Sequence, residues 1–599
     1  MARRVAKSMH GRPAAVLTMA VVLLTVGPLS AVPTSAQEEE LAKQRVQYDD
    51  DAPKSILELQ RFRTESRIYL QQANGSPGTA ALTNLNPETN AWYLLSLDWP
   101  ARSAHSTYHL ENPDRRGREL HLLSGDNRAV DIETANDTIC RLWSDNSEST
   151  LADAAESGLP YAPLCSGALY LRNPVAGHRT SLERVTDFLR DRVWGGDKVI
   201  EFVKREFYRD EFLERGLPSM PSTVTRLPNL TGGPAAADVA PEAAGIALTP
   251  EHLALDIDAP GHQILPGKWY AVRTLEGIAV SVIAPEHISR SILFGHERSV
   301  NPLGGIESAA LVYLVAFDLQ ALDLHFALGT DHPRLDWSER PPPSSQDPRL
   351  PGPDGIDNAA PLVTNGMISP ADAPATIAAF AGGFKRSHGA FKNGALAMRN
   401  HGSHYGFIEQ GVVFSKLQPG LATVFATNDG AVAVRTWTSY DDALLLHIRY
   451  ARQNGVPLIE YDPLRAHGIP GDFVNLWGPG NWSGSANEDL RTLRAGLCLQ
   501  ENQQRRYLIY GYFSAATPSA MARVFQAYGC RYAMHLDMNA LEHTYLALYA
   551  RQGNQVLVEH LVDDMKEVDR SSRGELAPRF LAFPDDRDFF YFTRRASSK

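Results

Sequence analysis

The sequence predicts a mixed α/β, α+β protein, with a large strand-rich C-terminal domain behind a separate, smaller α+β domain. Three observations predict it. Short apolar runs broken by turn residues recur from Trp92 to Val130 and again from Leu322 to Thr436. Helical spacing is confined to a few segments. A change of composition between residues 217 and 250 separates the two halves. The chain has 599 residues, 43% apolar and 21% charged, which is ordinary for globular proteins and long enough for several cores. With 58 Lys and Arg against 69 Asp and Glu, its formal net charge is −11. An acidic chain offers no electrostatic footprint for nucleic acid, which is not expected as a partner.

Residues 1–36 have the layout of a secretory signal peptide. Arg3, Arg4, Lys7 and Arg12 precede the apolar run Ala14 to Val26, and Thr34-Ser35-Ala36 precede an expected cleavage before Gln37. The run is shorter than the roughly 20 residues that span a bilayer, and no later stretch is long and apolar enough. A mature chain without a membrane span, secreted or periplasmic, is therefore expected. An oxidising compartment makes disulfides the default for Cys140, Cys165, Cys498 and Cys530. Three pairings are open; Cys140–Cys165 with Cys498–Cys530 is the simplest, because each bridge then stays inside one domain.

The N-terminal domain is expected over residues 37–216. Strands between Trp92 and Val130 are followed by a capping box, Thr180 with Glu183, opening a helix whose buried face is Leu182, Val185, Leu189 and Val193. A second helix carries Val199, Ile200, Val203 and Phe207. Nothing in this domain points to chemistry; its charged helices read as solvated faces. Residues 217–250, rich in Pro, Ala and Gly, read as a linker.

The C-terminal domain is expected over residues 251–599. Leu322, Leu324, Phe326 and Leu328 alternate with Asp323 and His325 as in a strand. Asn428-Asp429-Gly430 between two apolar runs is a hairpin signal. Thr517, Pro518 and Gly529 bound a helix whose buried stripe is Met521, Val524, Phe525 and Tyr528. An apolar strand, Tyr532 to Leu536, follows, and Asp537-Met538-Asn539 lies just past its end, where parallel open sheets place ligands.

Candidate chemistry collects in this second domain. The run Ala378 to Lys385 takes a strand into Gly382-Gly383, which suits either close approach of a substrate or a tight turn. His388, His401, His404 and Glu409 follow without the spacing of a zinc site, so neither a metal nor a cofactor is expected. Lys385, Arg386 and Lys392 are available to a phosphate. Trp477 and Trp482, in a glycine-rich loop, suit sugar stacking or simple anchoring of the loop. Asp462, Asp472 and Glu542 read as surface charge. A nucleophile elbow, a P-loop and a complete dinucleotide fingerprint are all missing, so serine hydrolases, NTPases and dehydrogenases lack their usual motifs.

The segments Phe380 to Lys385, Leu421-Ala422-Thr423 leading to Asp429-Gly430 and Trp437, and Ala533 to Asn539 stand in the order found in the phosphodiester glycosidase family. That family is related to the enzyme that uncovers mannose 6-phosphate by removing N-acetylglucosamine. Arg587-Asp588-Phe589-Phe590 resembles the closing segment of its bacterial, secreted branch. The resemblance covers roughly Gly267 to Phe592. Two positions depart from it: Ala381 stands where the family usually carries Asn, and Met538-Asn539 follow Asp537 in place of two glycines.

The resemblance implies a secreted glycosidase-like hydrolase that cleaves a sugar from a phosphodiester-linked envelope or extracellular glycan, with a carbohydrate or sugar phosphate as substrate. Glycoside cleavage usually needs two carboxyl groups. Asp537 is expected to be the first, Glu409 its partner, and His404 a substrate or proton-transfer contact. Gly382, Gly383, Phe384, Lys385, Asn539 and Trp482 are expected at the substrate. The alternative is a non-catalytic carbohydrate-binding or envelope-associated protein that retains the glycosidase fold, which Ala381 favours.

Overall fold

The computed structural model describes residues 55–595 apart from 116–117, 124, 126, 135–137, 146–149, 182, 186–210, 216, 219–231, 260–262, 332–355, 357, 385–404, 477–489, 554 and 573–574. The leader therefore lies outside the described residues, as do the second expected helix of the N-terminal half and most of the first.

The strand Trp92–Trp99 begins with four buried residues in a row. Its two faces serve two cores: Trp92 and Leu94 join the large core of the C-terminal half, whereas Tyr93 and Leu95 join a smaller one. The strand belongs to a six-stranded sheet ordered Thr64–Gln71, Pro77–Asn84, Trp92–Trp99, Ala104–Glu111, Leu169–Arg172 and Tyr161–Leu164. The smaller core also draws on the hairpin Ala129–Glu133/Ile139–Ser144 and the helix Thr150–Glu156. The Cys140–Cys165 disulfide crosses it, with Cα atoms 5.6 Å apart.

Among the described residues three large sheets make up most of the rest, with two-stranded pairs at Leu217–Pro218/Leu248–Thr249 and Arg570–Ser572/Glu575–Ala577. The largest is ordered Trp269–Ala271, Ile278–Ile283, Val312–Asp318, Arg505–Ala516, Thr492–Asn502, Tyr532–Met538, Pro457–Asp462 and His467–Pro470. A five-stranded sheet runs Leu322–Ala327, Phe589–Arg594, Thr376–Ala381, Leu546–Gln552 and Gln555–His560. A third contains Val412–Ser415, Phe407–Glu409, Ile448–Gln453 and the expected hairpin Ala422–Thr427/Val432–Thr436. The first two pack face to face through aromatic rings, with Phe317 on Phe592 at 4.2 Å and Phe380 against Tyr510 at 5.1 Å between centroids. The fold is thus mixed and strand-rich, with few helices.

The helix before the central strand forms as its sequence predicts. It spans Pro518–Ala527, Thr517 Oγ1 accepts the Ala520 N–H at 3.3 Å, and Gly529 takes φ +66°. Behind it the Cys498–Cys530 disulfide, with Cα atoms 5.8 Å apart, ties the turn to the neighbouring strand. Two expectations change here. The neighbours of Tyr532–Met538 are both antiparallel, so the parallel-sheet reason for a ligand beyond its end does not apply. The strand also continues through Met538, because Arg494 pairs with it, and Asp537 therefore lies inside the strand.

The composition of a linker does not give one throughout. Residues 232–250 lie on the C-terminal half: Ala235 N–H bonds Gln500 Oε1, Asp238 N–H the Ala527 carbonyl and Ala240 N–H the His287 carbonyl, each at 2.8 Å. Ala240, Ala243 and Ala247 are buried, since small side chains let the segment approach closely. The six-stranded sheet is fastened to the C-terminal half in the same way. Asn86 Nδ2 reaches the Gly411 carbonyl at 3.1 Å, Thr89 Oγ1 the Gln410 carbonyl at 2.9 Å and Tyr161 OH the Met367 carbonyl at 2.9 Å.

Candidate active site

Antiparallel pairing brings the end of one strand beside the start of its neighbour. The end of Thr376–Ala381 therefore meets the start of Phe589–Arg594, where Gly382 N–H bonds the Asp588 carbonyl at 2.8 Å. Asn454 joins this corner to the central strand. Its Nδ2 donates to the carbonyls of His535 and Leu536, at 2.5 and 2.6 Å, and its Oδ1 accepts the Phe384 N–H at 3.2 Å. The glycine turn and the residue before Asp537 thus share one amide side chain.

The space beside the glycines is filled from within. A Cβ at Gly382 would stand 2.7 Å from Asp588 Oδ2, and one at Gly383 would stand 2.7 Å from Arg452 Nη1. Gly383 also has φ +138°. Arg452 and Asp588 form a fully buried ion pair there, and Arg452 Nη2 donates to the Phe384 carbonyl at 2.6 Å. The two glycines make room for this pair.

Asp537 is buried and both its oxygens are engaged. Oδ1 accepts the Met538 N–H at 2.8 Å, and Oδ2 accepts from Arg587 Nη1 at 3.1 Å. Arg587 is shared. Its Nε donates to Glu183 Oε1 at 3.0 Å and its Nη2 to His543 Nε2 at 2.6 Å. His543 Nδ1 lies 2.8 Å from the Met538 carbonyl, which assigns the ring proton to Nδ1 and leaves the lone pair on Nε2 facing Arg587. Two carboxylates, one guanidinium and one imidazole so meet from three separated stretches of sequence, at residues 183, 537–543 and 587. Asp585 fixes the arrangement: it accepts a two-pronged contact from Arg579, at 2.8 and 2.9 Å, and the Arg587 N–H at 3.0 Å.

Burial pushes the Glu183 carboxyl up, but Arg587, with Arg579 farther off, outweighs burial and holds it well below the usual carboxylate range. Glu183 is therefore ionised at any working pH. Glu542 is also close, its Oε1 accepting from Thr180 Oγ1 at 3.3 Å. Ligand atoms of Glu183, Glu542 and His543 lie within 4.8 Å of one another, a spacing open to a cation. The Arg587 guanidinium already sits on two of the three.

The remaining expected residues are distributed as follows. Asn539 takes φ +79°, and its Oδ1 accepts from Thr492 Oγ1 at 3.1 Å, so its side chain holds the turn. Phe384 is buried, its ring 4.8 Å from that of His535. Glu409 is not brought to Asp537. It is buried where the six-stranded sheet meets the C-terminal half, accepting the Leu328 N–H at 2.9 Å with Arg172 Nη2 at 4.0 Å. Burial, opposed by Arg172 and that N–H, pushes its carboxyl up to about 7. Lys385, His404 and Trp482 lie outside the described residues. A cleft of about 570 Å³ opens beside Arg115, His325, Asp372 and Tyr450, and Asp537 does not line it.

Glu183, His543, Asn454 and Arg452 escape sequence reasoning. Glu183 already has a local explanation as a helix cap, and the polar run Arg452-Gln453-Asn454, which closes the strand Ile448–Gln453, is a signal that sequence reasoning could have used for buried polar side chains.

No family model and no curated protein matches the chain. Among solved structures it is similar to the catalytic domain of zebrafish N-acetylglucosamine-1-phosphodiester alpha-N-acetylglucosaminidase, auto-inhibited by its pro-peptide. Identity is 10% and the TM-score 0.27, over 54% of this chain and 85% of that one. It is also similar to an exported protein of Burkholderia pseudomallei, with 11% identity and a TM-score of 0.19 over 47% of this chain and 74% of that one. Scores this low amount to a loose likeness of fold, without residue-by-residue correspondence.

Proposed function

We propose that the chain is a secreted glycosidase-like hydrolase that removes a sugar from a phosphodiester-linked envelope or extracellular glycan, with Asp537 as its working carboxylate. One observation carries this reading: Asp537, Arg587 and His543 converge beside the Gly382-Gly383 corner, which is where the ordered motifs of the phosphodiester glycosidase resemblance fall. A carboxylate held rigidly within a strand suits attack at, or electrostatic support of, the sugar carbon as positive charge develops there. A phosphate leaving group is a weak base and places little demand on a general acid. Two disulfides support an oxidising compartment, and no described helix is long and apolar enough to cross a membrane.

A second reading, a non-catalytic carbohydrate-binding protein on the same fold, is favoured by a different observation. Both Asp537 oxygens are bonded, and the space beside the glycines is occupied by Arg452 and Asp588. A hydrolysis screen of the mature protein on sugar-1-phosphodiesters, with UDP-N-acetylglucosamine as the first member, separates the two. Hydrolysis that Asp537→Asn abolishes supports the enzyme. Saturable binding without hydrolysis supports the second reading.

A further inference from the structure

We propose that Glu183 is a positioning residue of the Asp537 site, so that the working site is assembled from the chain upstream of the C-terminal domain as well as from that domain. The inference rests on the reading of Asp537 above. Glu183 belongs to a stretch that the sequence assigns to the other domain and to mere helix capping. The structure divides its two oxygens between two tasks. Oε2 accepts the Thr180 N–H at 3.0 Å, while Thr180 Oγ1 accepts the Glu183 N–H at 3.1 Å, completing the capping box. Oε1 turns the other way, to Arg587 Nε at 3.0 Å and to within 3.5 Å of His543 Nε2. A cap needs only the first.

The segment that delivers Glu183 is laid along the closing segment of the chain. Gly177 N–H bonds Thr330 Oγ1 at 2.9 Å, His178 N–H bonds the Pro584 carbonyl at 2.9 Å, and Arg179 pairs with Asp586 at 3.0 Å. His178 also bridges Asp585, the residue that holds the Arg587 main chain. Glu183 and Arg587 are thus set from the same place.

Two consequences follow from this geometry. Glu183 holds the guanidinium at Nε, opposite the Nη2 contact with His543, and the two together aim Nη1 at Asp537; without the Nε bond one of these anchors is lost. Glu183 is also a negative charge on the far side of the same guanidinium, so it draws part of the Arg587 field away from Asp537. Asp537 faces Arg587 Nη1 at 3.1 Å and His543 Nδ1 at 4.0 Å; with the Glu183 charge removed more of the Arg587 field falls on Asp537, and the acid limb of an activity that needs its carboxylate moves to lower pH.

The test uses the full mature chain and UDP-N-acetylglucosamine hydrolysis across pH. Glu183→Ala should lower kcat by about 10- to 100-fold with KM nearly unchanged, as expected for a misplaced group. Glu183→Gln keeps an oxygen for Arg587 Nε, so it should hold kcat within a few-fold yet move the acid limb down by about one pH unit. Thr180→Ala, which removes the cap hydroxyl and its bond to Glu542 but leaves the Glu183–Arg587 contact, should change neither. Wild-type kcat and acid limb in both Glu183 variants, with Asp537→Asn inactive, would leave Glu183 a helix cap and overturn the inference alone. If Glu183→Ala does not fold, the acid limb of Glu183→Gln decides. If the wild-type chain hydrolyses nothing, the reading of Asp537 falls, and the coupling is then read from the carbon-13 titration of the Asp537 carboxyl. A pKa lowered by Glu183→Gln supports the coupling and an unchanged one overturns it.

Discussion

Two buried clusters of arginine and carboxylate stand where the upstream chain meets the C-terminal domain, and they are built differently. In one, Arg172 reaches Glu111 at 2.5 Å, the Val363 carbonyl through Nε and Nη2 at 3.2 and 3.1 Å, and the face of Trp92 at 4.2 Å. Arg115 pairs beside it with Asp372 at 2.8 Å. The Val363 carbonyl, the Glu111 and Asp372 carboxylates and two aromatic rings hold this cluster, and it joins two sheets. In the other, Arg587 has side-chain partners from three places, Glu183, Asp537 and His543, whose own position depends on it. Burial of charge is common to both and so does not mark function. Arg172 adds a main-chain carbonyl and two ring faces to its carboxylates and fastens a junction, whereas Glu183, Asp537 and His543 on Arg587 are all titratable, so Arg587 bears on their charge and aim.

The largest expected effect would break the fastener. Arg172→Met takes the nearer of two cations from buried Glu111, leaving Arg115 at 3.4 Å, and should cost about 3–5 kcal/mol in chemical unfolding. A loss under 1 kcal/mol would mean that the carbonyls and rings hold the junction without the charge.

Glu409→Gln sharpens the comparison in the opposite direction. The Glu409 carboxyl is raised to about 7, so the folded state favours its protonated form. Its contribution to stability is intact below the ordinary carboxylate range and is lost as pH rises through 7. The uncharged glutamine should therefore match wild type near pH 4 and exceed it at pH 8 by on the order of 2–3 kcal/mol. Thermal melting across pH checks this, and a variant less stable at pH 8 would contradict it.

A smaller effect is expected at the corner of the candidate site. Gly383→Ala must displace the Arg452 guanidinium and adopt a backbone that L residues rarely take, at a cost of about 1–3 kcal/mol. Melting of this variant against Gly553→Ala, which has the milder left-handed φ of +62° and whose added Cβ meets nothing within 4 Å, sets the clash and backbone of Gly383 against left-handed strain alone.

Much of the frame is legible in the sequence because its signals are local. The helix at Pro518–Ala527 carries its own start and stop, the hairpin carries its turn, and both disulfides close short loops. The site is less legible because it is made of contacts between distant segments. Glu409 attracts attention by lying near the glycines in sequence, yet the fold carries it to the other cluster. Glu183 is hidden by a local role that fully accounts for it. Even the argument that first points to Asp537, a ligand past the end of a parallel strand, fails on antiparallel neighbours, while the residue still meets Arg587.

The central claim is that Asp537 works and Glu409 fastens. It is tested most directly by measuring UDP-N-acetylglucosamine hydrolysis and thermal melting on Asp537→Asn and Glu409→Gln side by side. Asp537→Asn should lose hydrolysis by about 1,000-fold or more with a nearly unchanged melting temperature, and Glu409→Gln should keep hydrolysis while melting higher at pH 8. Hydrolysis retained in folded Asp537→Asn, or lost in Glu409→Gln, would contradict the account.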